Sequence, residues 1–168
     1  MGIHVTFIRL SEEKLGEIFD NEKKIEEFLI EQDRIKDNPQ ELWIEKSWEG
    51  IHYLIYEKRW LYRKSKDIEF GTLLEGRILC DKIDTGYGFP MYQTPEEVKK
   101  ITKDLQKFTK EELTKKYNPK IFIELEIYPS RKDWIKEDIN YLLGYWEDLV
   151  KFYNKAVLEN EFVIFYFH

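Results

Sequence analysis

In this 168-residue chain the residue types best suited to chemistry gather in Lys46-Ser47-Trp48-Glu49-Gly50-Ile51-His52-Tyr53-Leu54. The chain has three histidines, and His52 falls here beside an indole and a carboxylate. An imidazole in a partly desolvated pocket serves as general base or hydrogen-bond donor, and its surroundings move its pKa either way. Read as a helix from about Glu45, the segment places Trp48, His52 and Ile55 on one face, flanked by Ile51 and Leu54. His52 then points inward. A core-edge histidine with one ring nitrogen on a backbone carbonyl accounts for the same spacing without chemistry, and that plain reading is the commoner one.

Two further stretches carry candidate groups. In Thr85-Gly86-Tyr87-Gly88-Phe89-Pro90-Met91-Tyr92 the glycines permit positive φ, and Tyr87 and Tyr92 offer aromatic walls with hydroxyl tips. The same loop also serves simply to turn the chain into the next helix. Glu124-Leu125-Glu126-Ile127-Tyr128-Pro129-Ser130 brings two carboxylates spaced for one strand face, or about 200° apart on a helix. One of them does acid–base work if it is desolvated, although no local partner identifies it. A cleft built from these stretches would use His52 as base or donor, Glu126 to orient it, and Trp48, Tyr87, Tyr92 and Tyr128 around the ligand. These six are the candidate ligand-binding residues; no catalytic residue is assigned.

Other chemistries find less support. Glu57-Lys58-Arg59-Trp60-Leu61-Tyr62-Arg63-Lys64-Ser65-Lys66 interleaves cations with aromatics, as single-stranded nucleic-acid grips do. The formal net charge of −6 argues against that and favours a solvated loop. His4, His52 and His168 show no chelating spacing and Cys80 is the sole cysteine, so no metal is expected. No phosphate loop, dinucleotide fingerprint or nucleophile elbow appears, so no cofactor is expected either. No run approaches the ~20 apolar residues of a membrane span, and Met1-Gly2-Ile3-His4-Val5-Thr6 lacks the character of a signal peptide. A cytoplasmic protein that neither enters membranes nor binds nucleic acid follows as the expectation.

The elements that position these groups are legible in outline. Residues 3–9 set Ile3, Val5 and Phe7 against His4, Thr6 and Arg9, as a strand does. Ser11-Glu12-Glu13 opens a helix with Leu15, Ile18 and Phe19 on its buried face, and Asn21 caps a second carrying Ile25, Phe28 and Leu29. Thr94-Pro95-Glu96-Glu97 is a capping box with proline at the first helical position. Thr109-Lys110-Glu111-Glu112 repeats the box for a short helix ending near Asn118-Pro119. The longest helix starts near Ile135 and stops by Asn160, and Phe162–Phe167 is a buried strand. Residues 57–91 leave strand and helix undecided. The fold class is α+β: a single domain over 1–168, with a small mixed or antiparallel sheet holding the first and last strands and helices packed on one face.

The three stretches, in this order, also carry a resemblance. Lys46 to Leu54, then Gly86-Tyr87-Gly88 leading to Tyr92-Gln93-Thr94-Pro95-Glu96-Glu97-Val98, then Glu126-Ile127-Tyr128-Pro129, resemble the YfbM-like family, a bacterial family of unknown function. Phe152-Tyr153 with Ala156, before a terminal strand, fits the same pattern. The resemblance implies a small bacterial α+β domain and transfers no activity. The expectation for function is a binding or protein-interaction module, regulatory or neutralising toward a protein partner. The alternative is a small-molecule binder or small enzyme with a cleft around His52.

Overall fold

The computed structural model describes residues 2–61 and 68–168. Strand β1 (Val5–Leu10) leads into helices α1 (Glu12–Ile18) and α2 (Glu22–Arg34), then strand β2 (Glu41–Trp43) and α3 (Trp48–Tyr56). Two short strands, β3 (Arg77–Ile78) and β4 (Met91–Gln93), precede α4 (Pro95–Gln106), α5 (Lys110–Lys116) and α6 (Pro119–Glu124). A 3-10 turn (Lys136–Asp138) opens onto α7 (Ile139–Leu158), and β5 (Phe162–Phe167) follows. The class is α+β. The sheet runs β2-β1-β5-β4-β3, and every pairing is antiparallel.

The local signals act as their chemistry demands. Ser11 and Asn21 accept from the amides of Lys14 and Lys24, each satisfying an orphan donor of its helix's first turn. Thr94 with Glu97 and Thr109 with Glu112 form reciprocal capping boxes. First and last strands pair in register from Val5 opposite Phe167 to Leu10 opposite Phe162.

Both faces of the sheet are covered, which corrects the expectation of helices on one face. Val5, Phe7, Val163, Phe165 and Phe167 join a large core with α3, α4, α6 and α7. Ile8, Leu10, Ile164 and Tyr166 face a second cluster closed by α1, α2 and residues Leu79, Cys80 and Ile83. β1 is therefore buried along its whole length, as strands enclosed on both sides are. Arg9 does not oppose Phe7: it shares that face, buried over the Phe152 ring. There its guanidinium donates to Glu161 at 2.7 Å and to the Pro39 carbonyl at 2.8 Å.

Other boundaries also shift. Asn118-Pro119 begins a helix: Asn118 caps α6 and Pro119 takes its first turn, where a missing N–H costs nothing. Glu124 ends that helix and Glu126 follows at φ 51, so the two carboxylates share no strand and both are exposed. α3 starts at Trp48, because Glu45 takes φ 48 and Ser47 donates its hydroxyl back to the Ile44 carbonyl. Phe19 caps α1 and stands half exposed against the edge of Tyr92.

Residues 71–75 form a buried loop against β4, and Gly76 lets it approach. A methyl group there would lie 2.8 Å from the Tyr92 carbonyl oxygen and 2.8 Å from a Phe165 ring carbon. Backbone cannot yield as a flexible side chain does, so Gly76→Ala should cost about 1–3 kcal/mol. Chemical denaturation should show a lower midpoint at unchanged slope, and a midpoint equal to wild type would mean the loop is free to move away.

Candidate functional site

Seven of the nine α3 residues are buried, the carboxylate-bearing Glu49 among them. Trp48 is sealed in the core, and its indole N–H donates to the Ile3 carbonyl at 2.9 Å. Its ring stacks on Tyr128 at 4.9 Å and meets Trp60 and Phe167 edge-on at 5.7 and 5.3 Å. Trp60 in turn stacks on Phe167 at 4.5 Å and donates to the Leu74 carbonyl. Offset and edge-to-face pairs of this kind add stabilisation beyond area burial, and the buried N–H groups have acceptors.

Glu49 is fully buried and ties three segments together. One carboxylate oxygen accepts from the Leu61 amide at 3.0 Å. The other accepts from the Tyr128 amide at 2.7 Å and the Arg59 guanidinium at 3.3 Å. Arg59 also donates to the Glu126 carbonyl at 2.9 Å. A charge can be held in a dry interior when it is both paired and hydrogen-bonded. Two of the three marked stretches thus meet at Trp48, Glu49 and Tyr128.

His52 is 5% exposed, and its Nδ1 lies 3.1 Å from the Lys58 carbonyl. Its ring packs against Tyr56 at 4.9 Å. The part of Glu126 that enters this region is its main-chain carbonyl, while its carboxylate faces solvent. Tyr92 stands on the opposite face of the sheet, among Phe19, Phe162 and the second cluster. The fold therefore brings Trp48 and Tyr128 together, sets His52 one turn further along α3, and carries Tyr92 away. Beyond His52, Tyr56 borders a cleft of about 260 Å³ lined also by Thr72, Asp104, Lys100 and Phe108. Burial and the Asp104 carboxylate raise the Tyr56 pKa well above the phenol range, so the hydroxyl stays protonated.

An exposed surface caps this buried knot. The Tyr128 hydroxyl accepts from the Ile3 amide, and burial raises its pKa, with a smaller upward push from the nearby Tyr87. Tyr87 itself is 51% exposed, in a loop that Asp84 folds by accepting from the Gly86 and Gly88 amides. Positive φ at both glycines shapes that loop. Thr85 fastens the loop to the end of β5 through the Phe167 carbonyl at 2.7 Å. Beside Ile3, His4 packs edge-on against Trp43, itself 43% exposed, at 5.3 Å and against His168 at 5.9 Å. Two histidines far apart in sequence thus meet, but among the described residues no group of three or more His, Cys, Asp or Glu is placed to hold a metal ion.

Of the basic aromatic run at 57–66, Tyr62 to Lys66 lie outside the described residues. Lys58 pairs with Glu69 at 3.6 Å and Arg59 with Glu49. Among the described residues no helix is long and apolar enough to cross a membrane.

The residue missed in reasoning from the sequence is Glu49. Its signal was a lone carboxylate inside a helix that is apolar all round; such a residue needs partners from elsewhere. No curated protein matches the chain. Among solved structures, the fold is similar to the crystal structure of a protein of unknown function, YfbM from Escherichia coli. The TM-score is 0.70 at 19% sequence identity, over 96% of this chain and 98% of that one. With a family match over residues 1–166 and this similarity of fold, the chain belongs to the YfbM-like family described as Domain of unknown function (DUF1877).

Proposed function

We propose that the protein is a cytoplasmic protein-interaction module, regulatory or neutralising toward a basic partner protein, with the Trp43–Tyr87 end of the sheet as its contact surface. The observation that carries this reading is the division of labour among the marked stretches. Their inner residues, Trp48 and Glu49, are used up in internal stacking and hydrogen bonds. The groups left at the surface over them include the aromatics Trp43 and Tyr87 and the carboxylates Asp84 and Glu126, with Lys46 beside the Tyr128 hydroxyl. Rigidly mounted aromatics are the commonest anchors of protein interfaces, since little freedom is lost on binding. Exposed carboxylates, a net charge of −6 and open ring faces favour a partner presenting lysine or arginine. The same charge opposes nucleic acid. A ligand site centred on His52 has less behind it, because the imidazole is buried and its Nδ1 is placed on a backbone carbonyl.

The test is co-purification from native extract of the tagged wild-type chain beside the double variant Trp43→Ser/Tyr87→Ser. The wild type should elute with a basic protein, in a complex that weakens as salt rises, and the variant should bind it at least tenfold less well. Recovery of the wild type alone, or equal capture by the variant, overturns the reading.

A further inference from the structure

The cleft beside Tyr56 holds charges of both signs, and only some of them neutralise one another. The end of α3 contributes Ile55 and Tyr56, the loop before β3 contributes Glu69, and α4 with the turn after it contributes Lys100, Asp104, Lys107 and Phe108. Lys100 and Glu69 pair at 3.1 Å, with Lys58 on the same carboxylate at 3.6 Å. Asp104 and Lys107 are different. Among the described residues neither forms an ion pair, and the Lys107 ammonium reaches only the Phe108 ring, at 5.8 Å. Asp104 is half-buried, and its carboxylate lies beside the Tyr56 hydroxyl, which accepts from the Leu73 amide at 3.1 Å. A carboxylate drawn part-way out of water against a shielded phenol gains from a cation brought to it.

The two unpaired charges select the ligand. Asp104 and Lys107 stand three residues apart at the end of α4, so their side chains rise from one face, about 5–6 Å apart at Cβ. A bare amine would satisfy Asp104 and leave Lys107 unmatched; a phosphate or carboxylate would do the reverse. An α-amino acid carries an ammonium and a carboxylate on one carbon and serves both. The carbonyls of the last turn of α4 add to the attraction for its ammonium end. Buried Ile55 and half-buried Phe108 give the cleft an apolar lining for a side chain. At about 260 Å³ the cleft lies just below the ~300–1,000 Å³ of pockets for drug-sized ligands, which suits a single amino acid. We propose that this cleft binds an apolar α-amino acid, with its ammonium on Asp104, its carboxylate on Lys107 and its side chain against Ile55 and Phe108. None of these residues belongs to the Trp43–Tyr87 end, so the site stands or falls independently of the partner surface.

NMR titration of the isotope-labelled protein with L-leucine, L-methionine and L-phenylalanine tests it. At least one of the three should shift the backbone signals of Tyr56, Asp104 and Phe108, with a dissociation constant on the order of 1 mM. The carboxamide of that amino acid, which lacks the carboxylate, and its deamino analogue, which lacks the ammonium, should each bind at least tenfold less well. Asp104→Asn and Lys107→Met should each weaken binding at least tenfold. Both side chains reach solvent, so circular dichroism should report an unchanged fold. No shift with any of the three up to about 20 mM, far above the expected constant, overturns the proposal. Shifts centred away from the cleft, or equal binding by the carboxamide, the deamino analogue or either variant, overturn it as well.

Discussion

Glu49→Ala should destabilise the protein by about 3–5 kcal/mol, the usual cost of removing one member of a buried ion pair. The alanine leaves the Leu61 and Tyr128 amides without their acceptor and the Arg59 guanidinium without its carboxylate. Glu49→Gln should cost less, because one amide oxygen remains to accept while the new NH2 group faces donors. Arg59→Met should also cost less than Glu49→Ala, since the carboxylate keeps two amide donors. Urea unfolding of the three variants orders the effects. Near-equal stability of Glu49→Ala and wild type would show that the carboxylate does not hold these segments together. Because Tyr128 and Arg59 both depend on it, hydrogen exchange should quicken at Leu61 and Tyr128 before the rest of the core.

Gln93→Leu should cost about 3 kcal/mol despite the similar volume of leucine. Gln93 is fully buried and serves both sides of its amide. The nitrogen donates to the Leu73 and Glu75 carbonyls at 3.0 and 3.2 Å, and the oxygen accepts from the Tyr153 hydroxyl at 2.7 Å. Removing it takes a partner from buried carbonyls and from the Tyr153 hydroxyl, groups each worth about 1–3 kcal/mol when left unpaired, with partial relief from relaxation. Tyr153→Phe removes only one bond and should cost about 1 kcal/mol. In the double variant the Tyr153→Phe step should then be nearly free, since its acceptor has already gone. Denaturation of the four proteins gives this coupling directly, and additive losses would mean that the two side chains act apart.

What could be read from the sequence depended on the reach of the interaction. The caps at Asn21, Thr94 and Thr109 bond within three residues, so their chemistry is visible in the residues themselves. α7 was readable because its apolar pattern runs through 20 residues, and β5 because a short aromatic and β-branched run suits a buried strand. Asn118-Pro119 was ambiguous on local grounds: the same pair that stops one helix suits the first turn of another. β4, of three residues, exists because β5 lies beside it, and β3, of two, because β4 does, not by their own propensity. The site shows the same divide. Trp48 was expected to face inward and does so, but its stack on Tyr128 and Glu49's bond to the Tyr128 amide span 79 residues or more. His52 attracted attention by its residue type, whereas Glu49 matters for where it is buried. Arg9 reads as an exposed strand residue until Glu161 comes alongside it.

The register of β1 against β5 has a consequence for the order of events in synthesis. The middle of the sheet is made by the first and the last of these elements, joined across 162 residues where Val5 faces Phe167. A nascent chain leaving the ribosome therefore has helices α1 to α7 synthesised before β5 appears. Until then the edge of β1 that β5 takes offers bare hydrogen-bonding groups, and Val5, Phe7, Ile8 and Leu10 present apolar side chains on its two faces. Assembly must wait for the closing of the longest loop, which sets the pace in chains rich in distant contacts. In the interval β1 is the segment most in need of shelter, from chaperones or from the helices already formed around it.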